Sequence, residues 1–297
     1  MSRFDRRLDI RVAPDYMPPI DQGALLHYAR AHRAIFAAAI QQLAAWARAD
    51  PPLRILELGA APYCFTTLLL GALRCEVTCV SAPPKVWPGE MVGVTHTHVD
   101  LHHGEQSWRA PVALLNLERE LLPFADQSFD IVLCMDVLQN LAYHPTLLFC
   151  EAQRVLARAG RMLLTAPNGL SLWRLLWLLC GVVDQDPFAA RGMYERRQRS
   201  STPQEVRDLV SGCGFRVERF DLLNLGPLPG ARWPRRLSWV ARQLTTLPVA
   251  SLRQRRDYLL LTAEPIGPPR AAYPPQLYHY ARLYPRIPGA QYVGDQH

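Results

Sequence analysis

Lysine is nearly absent from this 297-residue chain: Lys85 is the single lysine, and arginine supplies the rest of the 33 basic residues. Against 26 acidic residues they give a net charge of +7 and an isoelectric point near 9.2. An arginine excess suits an anionic partner such as phosphate, nucleic acid or an anionic membrane surface. It also follows from an arginine- and alanine-rich coding bias, which we favour, so charge alone assigns no partner.

Cysteine motifs are missing as well. The chain has no C-x-x-C pair, and its seven cysteines lie mostly in apolar segments. This pattern predicts buried thiols in a reducing compartment rather than disulfides or zinc ligands. Histidines crowd residues 96–103 without a metal-ligand spacing, so no metal site is expected. Residues 1–7 lack the apolar core of a signal peptide, and we expect a cytoplasmic location.

Apolar runs of strand length alternate with segments of helix length along most of the chain. Residues 22–49 repeat apolar side chains at helical spacing and predict an N-terminal helix, while residues 92–101 and the run after them predict an added hairpin at the sheet edge. This alternation predicts an α/β fold: a doubly wound, mostly parallel seven-stranded sheet with an N-terminal helix and C-terminal additions. The predicted strands are 53–58, 75–80, 111–117, 129–135, 161–166, 214–221 and 257–263, and helices between them include 64–73, 145–157 and 203–212.

The first predicted strand leads into the most informative turn. Within residues 53–64 a short apolar run reaches Glu57, meets Gly59 and continues into another apolar run of helical length. Such a turn places backbone N–H groups and a carboxylate at the edge of a parallel sheet, where nucleotide-like ligands bind. A strand, a turn and a helix with one glycine also occur in any α/β domain. Because the G-x-G-x-x-G pattern and an acid after the second strand are both missing, a dinucleotide oxidoreductase is disfavoured.

A second set of motifs makes this turn more specific. Glu118 stands four residues before Leu122-Pro123-Phe124, Asp136 follows a later strand, and Arg154-Val155-Leu156 precedes another strand. In this order the motifs resemble the class I S-adenosylmethionine-dependent methyltransferases, especially the methyltransferase type 11 domain family. The resemblance covers residues 53–168 well and reaches 221 more loosely. It implies an enzyme of Rossmann-like methyltransferase fold that uses S-adenosyl-L-methionine as its methyl donor.

The resemblance also implies roles for residues near the strand ends. Glu57 matches the acid that helps to hold the methionine portion of the cofactor. Gly59, Ala61 and Tyr63 stand where the family has its glycine-rich turn, so Ala61 departs from the usual glycine pattern. Ser81 stands where an acid commonly holds the ribose hydroxyls, and it would bind them more weakly.

Two further acids and one histidine complete the implied site. Glu118 matches the acid that faces the adenine amino group, and Asp136 matches the acid near cofactor and substrate. We expect Glu57 and Glu118 to flank one cleft, where carboxylates attract a cationic sulfonium. His144 is the candidate catalytic base for a hydroxyl acceptor, with a surface-loop histidine as the alternative.

The chain is predicted to divide into three segments. They are a helical segment at 1–50, a methyltransferase domain at 51–264 with a basic and aromatic insertion near 225–250, and a tail rich in Pro, Tyr and Arg at 265–297. Residues 168–183 are apolar, yet too short and too interrupted by Arg174 to span a bilayer. We favour a helix that packs over the active site, with contact to a membrane or to a lipid-linked acceptor as the alternative.

These features predict the acceptor in outline. The hypothesis is methyl transfer to a small, sugar-containing or lipid-linked hydroxyl or similar nucleophile, and a non-catalytic methyltransferase-like scaffold is the competing function. A basic loop fits phosphate or carboxylate on the acceptor, although it is also typical of a solvated surface. No nucleic acid is expected, because no nucleic-acid motif is present. Peripheral membrane contact and the oligomeric state stay open. The arginines of the loop are Arg191, Arg196, Arg197 and Arg199.

Overall fold

The apolar runs form one mixed sheet. The computed structural model describes residues 9–18, 20–47, 50–84, 86, 90–142, 145–183, 199–225 and 234–267. Within them the strands are β1 (Ile10–Pro14), β2 (Leu53–Leu58), β3 (Cys75–Ser81), β4 (Thr95–His103), β5 (Gln106–Leu114), β6 (Phe129–Met135), β7 (Leu156–Pro167), β8 (Phe215–Leu223) and β9 (Tyr258–Pro265). The helices are α1 (Gln22–Ala31), α2 (Arg33–Trp46), α3 (Cys64–Ala72), α4 (Thr146–Val155), α5 (Leu172–Leu179), α6 (Pro203–Gly212), α7 (Pro234–Thr246) and α8 (Ala250–Arg253).

The sheet has a parallel core with antiparallel strands on both sides. Its order is β1-β4-β5-β3-β2-β6-β7-β9-β8, in which β5, β3, β2, β6 and β7 run parallel. Core strands such as β6 are buried along nearly their whole length, as expected when helices cover both faces of a sheet. The predicted α/β fold with a parallel core is confirmed, and the seven predicted strands are all present.

Two more strands extend the sheet beyond β5. β4 and β5 form the predicted hairpin, joined at Gly104, whose φ is +60°. β1 pairs antiparallel with β4 and occupies the edge, so the hairpin does not lie at the edge itself. Sequence reasoning misses β1, because a five-residue run that ends at Pro14 has little strand signal without its partner.

Helices cover both faces and form two apolar cores. α1, α2 and α3 pack on one face through side chains such as Leu25, Phe36 and Phe65. α4 and α6 pack on the other through Phe149 and Val206, which confirms the doubly wound arrangement. The single helix predicted over 22–49 is in fact two helices that meet at His32. This junction places His32 above the sheet.

Two local features complete the description of the fold. Thr202 caps α6 in a reciprocal capping box with Glu205, and Pro203 is its first residue. Among the described residues, no helix has both the length and the apolar character needed to cross a bilayer. The segment boundaries at 50 and 264 stay a prediction, and residues 268–297 lie outside the described residues.

Candidate functional site

The turn after β2 packs so closely against Val137 that residue 59 must be glycine. Gly59 has a φ of +67°, and a Cβ atom there would lie 2.6 Å from Cγ2 of Val137. Val137 follows the end of β6, so the turns after two adjacent parallel strands touch at this point. The strand order reverses between β2 and β6, and ligands of open α/β sheets bind at such a reversal.

A cavity of about 650 Å³ opens at this position. Residues after the carboxyl ends of β2, β3, β5 and β6 form its base, and α1 with the segment before it forms another wall. Clefts of roughly 300–1,000 Å³ hold cofactor-sized ligands. Its lining includes Met17, Ile20, Leu25, Tyr28, His32, Gly59, Ala61, Ala82, Asn116, Glu118, Met135, Asp136, Gln139, Asn140, Leu141 and Tyr258.

Four of the residues predicted to bind the cofactor line this cavity. They are Gly59, Ala61, Glu118 and Asp136. Glu118 lies in the turn after β5, where its backbone N–H donates to Oδ1 of Asn116 at 3.0 Å. The structure therefore brings together residues that lie 77 positions apart in the sequence, from 59 to 136.

Glu57 does not line the cavity. It is buried on the face that α3 covers, where the Thr66 hydroxyl donates to its Oε2 at 2.7 Å. Burial raises the pKa of Glu57 to about 7, and the Thr66 hydrogen bond opposes that rise. Contrary to the expectation of two acids flanking one cleft, only Glu118 of this pair faces the cavity here. A direct contact between Glu57 and a ligand stays a prediction.

Tyr63 and Ser81 are also buried behind the cavity wall. The Tyr63 hydroxyl donates to Oγ of Ser81 at 2.9 Å and lies 2.5 Å from the Tyr16 hydroxyl. Burial raises the pKa of Tyr63, so its hydroxyl stays protonated. Ser81 is occupied by this internal hydrogen bond, and its neighbour Ala82 lines the cavity instead. Ribose binding by Ser81 therefore stays a prediction that needs this hydrogen bond to change.

A cluster that sequence reasoning missed lies on the α1 wall. Oδ2 of Asp136 accepts from the Tyr28 hydroxyl at 3.1 Å and lies 3.3 Å from Nε2 of His32. The Tyr258 hydroxyl lies 3.3 Å from the same His32 nitrogen. Tyr28 and His32 are four residues apart, on one side of a helix, but only the tertiary fold brings them to Asp136. His144 and three arginines of the basic loop, Arg191 to Arg197, lie outside the described residues.

The cavity holds buried acceptors that suit a ligand with hydrogen-bond donors. Oδ1 of Asp136 and Oε1 of Gln139 are buried and have no hydrogen-bond partner among the described residues. The amide nitrogens of Gln139 and Asn140 donate to the Asp136 carbonyl at 2.7 and 3.1 Å, which fixes this turn. Because buried acceptors are rarely left without donors, they fit the amino and hydroxyl groups of S-adenosylmethionine. Gly59 itself adds a part of the cavity wall that has no side chain.

Solved structures share this fold. A solved complex of the Haloferax volcanii Trm112 methyltransferase activator with a putative methyltransferase matches 83% of this chain and 95% of that chain, with a TM-score of 0.51 and 13% identity. A methyltransferase from Archaeoglobus fulgidus matches 82% of this chain and all of its own, with a TM-score of 0.47 and 14% identity. A possible histamine N-methyltransferase from Thermotoga maritima matches 81% of this chain and 94% of its own, with a TM-score of 0.45 and 14% identity.

Part of the sequence also matches a family model. Residues 56–164 match the family model described as a methyltransferase domain, of type 11. This span is similar to the type 11 methyltransferase domain, whose family uses S-adenosylmethionine as its methyl donor. A comparison with curated proteins gave no match.

Proposed function

We propose that the cavity binds S-adenosylmethionine with its adenine toward Glu118 and its methionine portion toward the Gly59 turn. The observation that carries this proposal is the cavity where the strand order reverses, walled by Gly59 on one side and Glu118 on another. Oδ1 of Asp136 is a further acceptor for the cofactor or for the substrate beside it. Glu57 supports the site indirectly, because its carboxylate accepts a hydrogen bond from the Thr66 hydroxyl in the first turn of α3.

The residues of this chain act mainly by positioning. When bound, the sulfonium supplies an electrophilic methyl group, and its transfer requires an in-line approach of the acceptor. Apolar side chains of the cavity, including Ile20, Leu25, Met135 and Leu141, exclude water from that approach. Asp136 is fixed by side chains on its own turn and by Tyr28. The site thus aligns two ligands without covalent chemistry of its own.

The proposed acceptor is a small, sugar-containing or lipid-linked hydroxyl compound. Polar groups of α1 and β9 lie beside apolar walls in the cavity, an arrangement that suits a hydroxyl carried on a largely apolar body.

A second feature, which bears on a lipid-linked acceptor, is the exposed surface of α5 and α7. α5 packs against α7, and both expose large apolar side chains. Leu178 and Leu179 on α5 are 60% and 83% exposed, and Trp239 on α7 is 63% exposed. Arg253 is exposed at the end of α8, which packs on α7.

Calorimetry with S-adenosylmethionine and S-adenosylhomocysteine tests the cofactor site. Glu118→Ala is expected to weaken binding roughly 10- to 100-fold, because a lost hydrogen bond to a charged group costs about 1.5–3 kcal/mol. Glu105→Ala, in the exposed β4–β5 turn, is the matched control and should bind normally. Unchanged affinity in Glu118→Ala, with the wild-type melting temperature, would remove Glu118 from the site.

Sedimentation with vesicles tests the lipid-linked alternative. Vesicles that contain anionic phospholipid should retain the wild-type protein, and Leu178→Ser with Leu179→Ser should release it. Ile266→Ser is the control, since Ile266 is also exposed but lies at the end of β9. Equal retention of all variants would argue for a small water-borne acceptor.

Incubation with methyl-labelled cofactor and fractionated cell extract identifies the acceptor. Label in a lipid or sugar-containing fraction supports the proposal, and label in protein or nucleic acid contradicts it. Cofactor binding without label in any fraction would favour the competing scaffold function.

A further inference from the structure

The cluster on the α1 wall has the geometry of a proton acceptor. His32 lies between α1 and α2, with 12% of its side chain exposed, and it lines the cavity together with Tyr28, Asp136 and Tyr258. These four residues, called here the α1 cluster, come from α1, its junction with α2, the turn after β6, and β9. The cofactor contacts proposed above use Gly59 and Glu118 and leave His32, Tyr28 and Tyr258 without a role.

The hydrogen bonds of His32 determine which ring nitrogen exchanges protons. Nδ1 lies 3.0 Å from the Tyr28 carbonyl oxygen, which can only accept, so Nδ1 carries a hydrogen. In the neutral ring this leaves Nε2 with its lone pair. Nε2 lies 3.3 Å from the Tyr258 hydroxyl, which can donate to it, and 3.3 Å from Oδ2 of Asp136.

Asp136 stabilises the charged form of this imidazole. When Nε2 takes up a proton, the resulting imidazolium lies beside the Asp136 carboxylate, and the attraction is strong because the pair is largely buried. Tyr28 fixes Oδ2 by donating to it at 3.1 Å. Burial raises the pKa of Tyr28 well above its ordinary value, so this donor keeps its proton. Asp136 itself has a φ of +58°, a conformation that aspartate tolerates better than most residues.

Aromatic rings pack around His32. Phe36 of α2 stacks on the ring with centroids 5.8 Å apart, and the tilted ring of Tyr28 lies 4.1 Å away between centroids. Tyr258 approaches from β9 in an edge geometry. The aromatic packing holds the ring plane, so Nε2 keeps its direction toward Asp136 and the Tyr258 hydroxyl, in a residue that lines the cavity.

We propose that His32 is the catalytic base of methyl transfer, and that its acceptor is a hydroxyl compound which loses a proton in the reaction. This proposal rests on the function proposed above. The acceptor oxygen forms a bond to the methyl carbon, and the carbon–sulfur bond breaks with its electron pair going to sulfur. The hydroxyl proton passes to Nε2 of His32, and the new imidazolium pairs with Asp136. Sulfur loses its positive charge, so charge and atoms balance.

The first test needs neither cofactor nor acceptor. Ring ¹⁵N NMR at about pH 8 should show His32 in the tautomer with hydrogen on Nδ1, and His32→Gln assigns the signal by its disappearance. Tyr258→Phe should shift the Nε2 resonance and leave Nδ1 unchanged. A neutral ring with hydrogen on Nε2 would overturn the proposal, because that nitrogen could not accept a proton.

The second test uses the labelled extract fraction that the wild type methylates. His32→Gln is expected to lower kcat roughly 100- to 10,000-fold with unchanged affinity for S-adenosylhomocysteine. His27→Gln, exposed on the same helix, is the control and should behave as wild type.

The outcomes separate the two proposals. If the wild type labels a hydroxyl acceptor and His32→Gln does so at a similar rate, the base assignment is wrong and the proposed function stands. If the wild type binds no cofactor, the proposed function fails and this proposal fails with it. If His32→Gln unfolds, the methylation rate and the ¹⁵N spectrum of Tyr258→Phe test the base assignment instead.

Discussion

Replacement of Gly59 by alanine tests whether the turn after β2 shapes the site. Two costs add in Gly59→Ala. A left-handed backbone costs a residue with a Cβ about 1–2 kcal/mol. The new Cβ would also lie 2.6 Å from Cγ2 of Val137, and overpacking of this kind costs about 1–3 kcal/mol. We therefore expect a loss of roughly 2–5 kcal/mol in the free energy of unfolding.

Gly104→Ala separates these two costs. Gly104 has a φ of +60°, close to that of Gly59, but a Cβ there meets nothing within 4 Å. Gly104→Ala should therefore lose only about 1–2 kcal/mol from backbone strain. Urea denaturation of both variants gives the difference, which is the cost of the clash with Val137.

A double variant tests the clash directly. Val137→Ala removes both methyl groups that Gly59→Ala would meet, so the two changes together should cost roughly 1–3 kcal/mol less than their sum. Gly59→Ala should also weaken S-adenosylhomocysteine binding at least about tenfold, because a shift of Val137 moves Asp136. Equal losses in Gly59→Ala and Gly104→Ala, or strict additivity with Val137→Ala, would refute this reasoning.

Two further predictions concern buried acids. Glu57 has a pKa of about 7 in the folded chain against 4.5 in a free side chain, so the unfolded chain loses its proton first as pH rises. The free energy of unfolding therefore falls by up to roughly 3 kcal/mol as the pH rises across that interval. Glu57→Gln should remove this part of the pH dependence, measured by urea denaturation at about pH 5 and about pH 8. The same pH dependence in Glu57→Gln and the wild type would contradict the burial argument. Arg242 donates to the buried Asp257 at 2.8 Å, so Arg242→Met should cost about 3–5 kcal/mol in the same melts, while Arg253→Met, at an exposed position, should cost almost nothing.

The parallel core could be predicted because its signal is local. All residues of the β6 segment except Asp130 are apolar, and the structure gives the strand as Phe129–Met135, as predicted. β1 could not be predicted in the same way, since its place depends on pairing with β4, about 90 residues away. The apolar periodicity of residues 22–49 continues across His32, so the sequence predicts one helix where the structure has two.

The candidate site shows the same limit. Gly59 and Glu118 follow strands and could be placed at the sheet edge from the sequence. Glu57 follows the period of two that also buries Leu53 and Ile55 on the α3 side, a signal that favours burial over exposure to a ligand. His32 carried no signal of its own, because its partners Asp136 and Tyr258 lie 104 and 226 positions away.

The cavity draws its walls from separate parts of the chain. Gly59, Glu118 and Asp136 belong to the family-matched span of 56–164, whereas Tyr28, His32 and Tyr258 lie before or after it. Relatives that keep this span and exchange their flanking helices would retain the methyl donor while receiving different acceptors. We predict that grafting α1 and α2 between such enzymes changes substrate specificity, while Gly59 and Glu118 keep the donor contacts proposed above.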